Sequence, residues 1–152
     1  MFDMRKYKMG FDIWGLLLFL VIMLPNIIWF LTPTPVDILR NPSVTPTVDT
    51  VASVLQVIMV AAICVLQNST CGKPMGRGWR GGIAAAVLFY FAGWGLYYAG
   101  VTSTLVIMDL CVVPCVAFLL FSLARKNAAA LVAGAGFLLC HMYYGIVNFV
   151  VK

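Results

Sequence analysis

The sequence predicts an all-α integral membrane protein, a polytopic bundle of five transmembrane helices with the N-terminus inside and the C-terminus outside. Three observations carry this fold class. The chain of 152 residues is 63% hydrophobic and only 10% charged, where soluble domains run at about 45–50% and about 25%. Its mean hydropathy of +1.02 would leave any water-soluble fold with a large exposed apolar surface, which excludes the soluble classes. The apolar residues also gather into five runs, each near the roughly 20 residues that cross a bilayer.

The first run, residues 10–31, follows a charged start containing Arg5, Lys6 and Lys8. It is long enough to span and no small-residue cleavage site follows it, so it reads as a retained signal-anchor helix. Residues 32–49 form an outer loop with four prolines, which restrict it to extended and turn conformations. Within it, residues 36–40 have room for one helical turn. The loop is read equally as a flexible linker or as a stiffened cap over the outer mouth of the bundle. The second run, 51–67, follows Asp49 and Thr50, which suit a helix start.

A basic, glycine-rich inner loop, 68–81, comes next. It lacks the strand and spacing of a phosphate-binding loop, and with Lys73, Arg77, Arg80 and Trp79 it suits contact with anionic lipid head groups. The third run, 82–100, and the fourth, 101–123, together are too long for one span; Gly100 with Thr102, Ser103 and Thr104 supplies a turn and a cap between them. The fifth run is 128–151. The whole chain, 1–152, reads as a single transmembrane domain.

Orientation follows from Lys and Arg, which accumulate in short cytoplasmic loops. With the N-terminus inside, eight of the ten basic residues fall inside, and only Arg40 and Lys152 fall outside. This is the pattern of a multi-pass protein of a bacterial-type cytoplasmic membrane. The net charge of +5 is explained by that distribution; no basic face suited to nucleic acid is present.

Polar residues inside the spans are costly and so informative. Of the five acids, all Asp, only Asp109 falls well within a span. A charge there costs roughly 2.5–3.5 kcal/mol on insertion scales and calls for a partner. The single histidine is the candidate: counted from the outer ends at about 1.5 Å per residue, Asp109 lies roughly 12 Å deep and His141 roughly 15 Å. On the fifth run His141, Tyr144 and Asn148 share one face. Asn26 and Gln56 occupy the outer halves of the first two runs, and Tyr90, Trp94 and Tyr97 share a face of the third. These groups are expected to converge on a polar and aromatic pocket in the outer half, suited to a small amphiphilic or cationic ligand.

Plainer readings stand beside this one. Tyr97, Tyr98, Trp29 and Trp14 also suit an interfacial aromatic belt, and Asn26, Gln56 and Asn148 suit interhelical hydrogen bonding. Pro25 and Pro114 are expected inside helices, as bends or hinges. Five cysteines make no disulfide framework, and Cys111, Cys115, Cys140 and His141 make no convincing metal site, since neighbours on a helix point about 100° apart. No cofactor is implied and no catalytic residue is assigned.

The functional expectation is therefore a small membrane protein that binds or transports a small or lipid-like ligand. Its site residues are Asp109, His141, Tyr144, Asn148, Asn26, Gln56, Trp94 and Tyr97. Its partners are the lipid bilayer, that ligand, and a second copy of the chain if a wider path is needed. The alternatives are an intramembrane enzyme acting on a lipid or isoprenoid substrate, and an accessory or structural subunit of a membrane complex.

Overall fold

Each apolar run folds as one helix in the computed structural model, which describes residues 6–71 and 74–151. The helices are α1 (Ile13–Leu31), α2 (Pro46–Val65), α3 (Arg77–Tyr98), α4 (Thr104–Ala124) and α5 (Ala128–Gly145), the last continued by a wider π turn, Ile146–Val150. All five are long and apolar enough to cross a membrane. Arg5, Lys73 and Lys152, three of the residues in the charge count, lie outside the described residues.

Several boundaries differ from the sequence reading, each for a local reason. α2 starts at Pro46 and not at Val51, because Pro at the first helical position has a helical φ already set and loses no hydrogen bond. α3 starts at Arg77 and not at Gly82, so the basic and glycine-rich stretch is helical for more than a turn before the apolar run begins. α4 starts at Thr104, capped by the Ser103 hydroxyl, which accepts from the Val106 amide. α1 starts at Ile13, where the Asp12 carboxylate caps the helix by accepting from the Trp14 amide at 3.0 Å. In the proline-rich loop the expected helical turn is a 3-10 turn, Ile38–Arg40.

A two-stranded sheet was not expected. Residues Tyr7–Met9 (β1) pair antiparallel with Leu66–Asn68 (β2), Tyr7 opposite Asn68. Its surroundings tie the helix ends together. The Tyr7 hydroxyl accepts from the Ala128 amide and donates to the Lys126 carbonyl, Asn127 Nδ2 donates to the carbonyls of Ala62 and Leu66, and Arg125 is ion-paired with Asp12 at 2.9 Å. We call this the sheet end and the opposite end, under residues 32–45, the loop end.

α4 sits between α3 and α5, α2 packs along α5, and α1 lies against α2 with lighter contact to α3 and α4. The core is built from Met59 and Ile63 of α2, Tyr90, Trp94 and Tyr97 of α3, Ile107, Cys115 and Phe118 of α4, and Phe137 of α5. All five cysteines are free thiols. The outer surface is apolar as well: Leu105 is 82% exposed, Phe30 74% and Leu88 70%, a distribution that suits hydrocarbon around the bundle and not water.

Two short hairpins close with the same device. After α3, Gly100 takes a positive φ of 87°, the Val101 amide donates to the Leu96 carbonyl and the Gly100 amide to the Tyr97 carbonyl. After α4, Lys126 takes a φ of 51°, with Asn127 donating to Ser122 and Lys126 to Leu123. This is the two-bond Schellman cap, in which glycine is the usual residue at the left-handed position. A lysine there is strained by roughly 1–2 kcal/mol, and its carbonyl is fixed by Tyr7 and by Asn68 Nδ2 from the sheet.

Candidate functional site

The loop end holds the polar chemistry, and it begins with an aromatic column on α3. Tyr90, Trp94 and Tyr97 recur at i, i+4 and i+7, and all three are buried. Trp94 is the hub: its ring centroid lies 5.7 Å from Tyr97, 6.1 Å from Tyr98, 6.3 Å from Trp29 and 6.4 Å from Tyr90. Asn26, one residue after Pro25 in α1, donates from Nδ2 to the Tyr90 hydroxyl at 2.6 Å and to the Ile22 carbonyl at 3.1 Å. Tyr97 is fully buried, so it belongs to this column and not to an interfacial belt.

The loop folds back over this column and is held there by Asp37. Its carboxylate accepts from the Trp29 indole at 2.9 Å, from the Tyr97 hydroxyl at 2.9 Å and from Arg40 Nε at 2.6 Å. Arg40 in turn lies over the Trp29 ring at 4.8 Å and donates to the Trp29 carbonyl. The Leu39 amide donates to the Tyr97 hydroxyl at 3.1 Å. Burial pushes the Asp37 carboxyl up, but the hydrogen bonds from Trp29, Arg40 and Tyr97 outweigh it and hold the group below the usual carboxylate range.

A second clasp lies on the π turn that continues α5. Asn148 Oδ1 accepts from the Val44 amide at 2.9 Å, and its Nδ2 donates to Thr45 Oγ1 and to the Tyr144 carbonyl, each at 3.0 Å. Thr45 Oγ1 donates onward to Asp49 Oδ1. The loop is thus pinned near both ends, to α1 and α3 through Asp37 and to the π turn after α5 through Asn148. Residues 46–49 belong to α2, and it is residues 32–45 that lie across the loop end.

Asp109 and His141 are not paired. Asp109 faces α3: its Oδ2 occupies the place a Cβ on Gly93 would take. The His141 ring is tilted against Phe137 with centroids 4.2 Å apart and lies 6.3 Å from Tyr144. The side of α4 that meets α5 carries Met108 and Cys111, both against Gly145. Matching depths placed the two residues at one height but left open the rotation of α4, and a step of one residue turns a helix by about 100°. Asp109 Oδ2, His141 Nδ1 and Trp94 Nε1 are each buried without a hydrogen-bond partner.

The eight expected site residues therefore fall into two groups. Asn26, Trp94 and Tyr97 gather between α1 and α3 with Asp109 beside them on α4, whereas His141, Tyr144 and Asn148 line α5 and its π turn. Gln56 is half-buried on α2 and joins neither hydrogen-bonded group. Sequence reasoning missed Asp37, Arg40 and Thr45. Their signal was local: Asp37 and Arg40 are an acid and a base three residues apart in a loop with no other charge before Asp49.

Compared with known protein families, with curated proteins and with solved structures, the chain matches none.

Proposed function

We propose that this chain is a five-span protein of a bacterial-type cytoplasmic membrane, N-terminus inside, that binds or transports a small or lipid-like ligand within the outer half of its bundle, under the 32–45 loop. The orientation rests on the distribution of Lys and Arg, which puts the sheet end inside. The reading of the site rests on one observation: four buried side-chain polar atoms at the loop end, on Thr34, Trp94, Asp109 and His141, have no hydrogen-bond partner. Leaving such a group unsatisfied costs roughly 1–3 kcal/mol each. A ligand between α1, α3 and α4 that donates to Asp109 and accepts from Trp94 recovers part of that energy, and the loop pinned across the mouth then serves as its lid.

Native mass spectrometry of gently solubilised wild type and Asp109→Asn tests this. A small molecule that co-purifies with wild type and is lost from the variant, at unchanged oligomeric mass, supports the site. Empty protein in both sinks it.

A structural reading has its own support, because Asp109 seated at Gly93 locks α4 against α3 in one register. In that case Asp109→Asn binds nothing less than wild type does, and the variant differs only in its melting temperature in detergent.

A further inference from the structure

α1 and α3 meet at the loop end, through Asn26 and Tyr90, Trp29 and Trp94, and Thr32 and Tyr98, but diverge towards the sheet end. The gap is a cavity of about 630 Å³, within the range of about 300–1,000 Å³ typical of ligand sites. Its walls are apolar, with Leu17 and Val21 on α1, Ile83 and Ala84 on α3, and Phe121 on α4. Leu17 and Val21 are 42% and 40% exposed, so the cavity opens sideways, where lipid would surround the bundle. Two guanidinium groups, Arg80 and Arg125, stand at its sheet-end mouth.

Length, polarity and charge agree on one occupant. On α1 the lining runs from Trp14 to Val21, a rise of roughly 10 Å at 1.5 Å per residue, within the roughly 15 Å of hydrocarbon in one leaflet of a 30 Å core. Arg125 donates from Nη2 to Asp12 at 3.2 Å, with Nε 2.9 Å from the other carboxylate oxygen; a guanidinium has five donors, so donors remain on it. Arg80 is exposed in the first turns of α3 and has no ion-pair partner among the described residues. One mouth thus combines a free positive charge with a slot for a chain.

We propose that this groove holds one acyl chain of an anionic phospholipid from the leaflet at the sheet end, its phosphate headgroup held by Arg80 and Arg125. The site rests on the membrane reading of the fold but not on the loop-end ligand. It involves neither Asp109 nor the lid, so either site can fail alone.

The test is native mass spectrometry of the delipidated full chain titrated with phosphatidylglycerol or phosphatidylcholine of identical acyl chains. Wild type is expected to retain one phosphatidylglycerol in preference to phosphatidylcholine. Arg80→Gln, on the surface, is expected to reduce that preference about fivefold, the worth of one basic residue near an anionic surface. Ala84→Trp, which fills the slot, is expected to abolish retention of both lipids, with far-UV circular dichroism reporting that the helices persist. Equal retention of the two lipids by wild type overturns the proposal, as does retention indifferent to Ala84→Trp. A dimer that persists at saturating lipid also overturns it, since the groove would then be an interface between copies. A preference for phosphatidylglycerol untouched by Arg80→Gln removes Arg80 from the site and overturns the headgroup assignment.

Discussion

Replacing Asp37 by Asn should unlatch one side of the 32–45 loop and leave the other shut. The amide keeps an oxygen for the Trp29 indole and the Tyr97 hydroxyl, so those two bonds survive as neutral ones. Hydrogen bonds to a charged group contribute about 1.5–3 kcal/mol and neutral ones about 1, so roughly 1 kcal/mol is lost at each. The Arg40 ion pair, with its arginine 42% exposed, adds at most about 1 kcal/mol. The total of about 2–3 kcal/mol corresponds to a roughly 30- to 150-fold rise in the open population of that segment. Hydrogen exchange reads it directly, because the Leu39 amide bonds to Tyr97 and the Val44 amide to Asn148. Protection at Leu39 should fall by that factor while Val44 changes less than threefold, and Asn148→Ala should reverse the pattern. Less than a threefold change at Leu39, or equal changes at both amides, would refute the idea of a lid pinned by two separable clasps.

Further outcomes follow from the same geometry. Because Asp37 is held below the usual carboxylate range, the clasp is fully present above about pH 4 and is lost only as pH falls through the lowered value; the Leu39 protection factor should be flat from pH 7 to pH 5. Lys126→Gly relieves a left-handed lysine and should stabilise the protein by about 1 kcal/mol, a rise of roughly 2–4 °C in detergent, whereas Gly100→Ala at the matching turn should lower the midpoint. Gly93→Ala drives a methyl into the Asp109 carboxylate and should cost about 1–3 kcal/mol. If that contact is the cause, the double variant with Asp109→Ala should recover at least half of the loss in a thermal melt.

Much of this architecture could be read from hydropathy alone, and the limits of that reading are physical. Apolar runs define where a helix is wanted, but chemistry at its ends decides where it stops. Pro46, Ser103 and Asn127 mark their helix starts by residue type, whereas Arg77–Gly82 hides one, since glycines and charges depress hydropathy without preventing a helix. The aromatic column on α3 was visible as a spacing of four and three. The separation of Asp109 from His141 was not, because depth along a helix follows from counting and rotation follows from packing against Gly93 and Gly145. β1 was invisible for another reason: three residues carry no periodicity, and their partner strand lies 57 or more residues further on.

The sheet-end tie also sets an order of events. Asp12 and Arg125 are 113 residues apart, and Tyr7 reaches the α4–α5 turn at a separation of 119. At about 5–20 residues per second, a ribosome needs roughly 6–24 s to make the intervening chain. The N-terminal segment is therefore fastened in two stages, first by β2, 57–61 residues further on, and only later by the α4–α5 turn. The α3–α4 and α4–α5 hairpins need no such delay, since each closes across a short turn. A chain stalled before the α4–α5 turn would hold β1 against β2 but lack the contacts of Tyr7 with the turn and of Asp12 with Arg125, a sheet end only half tied.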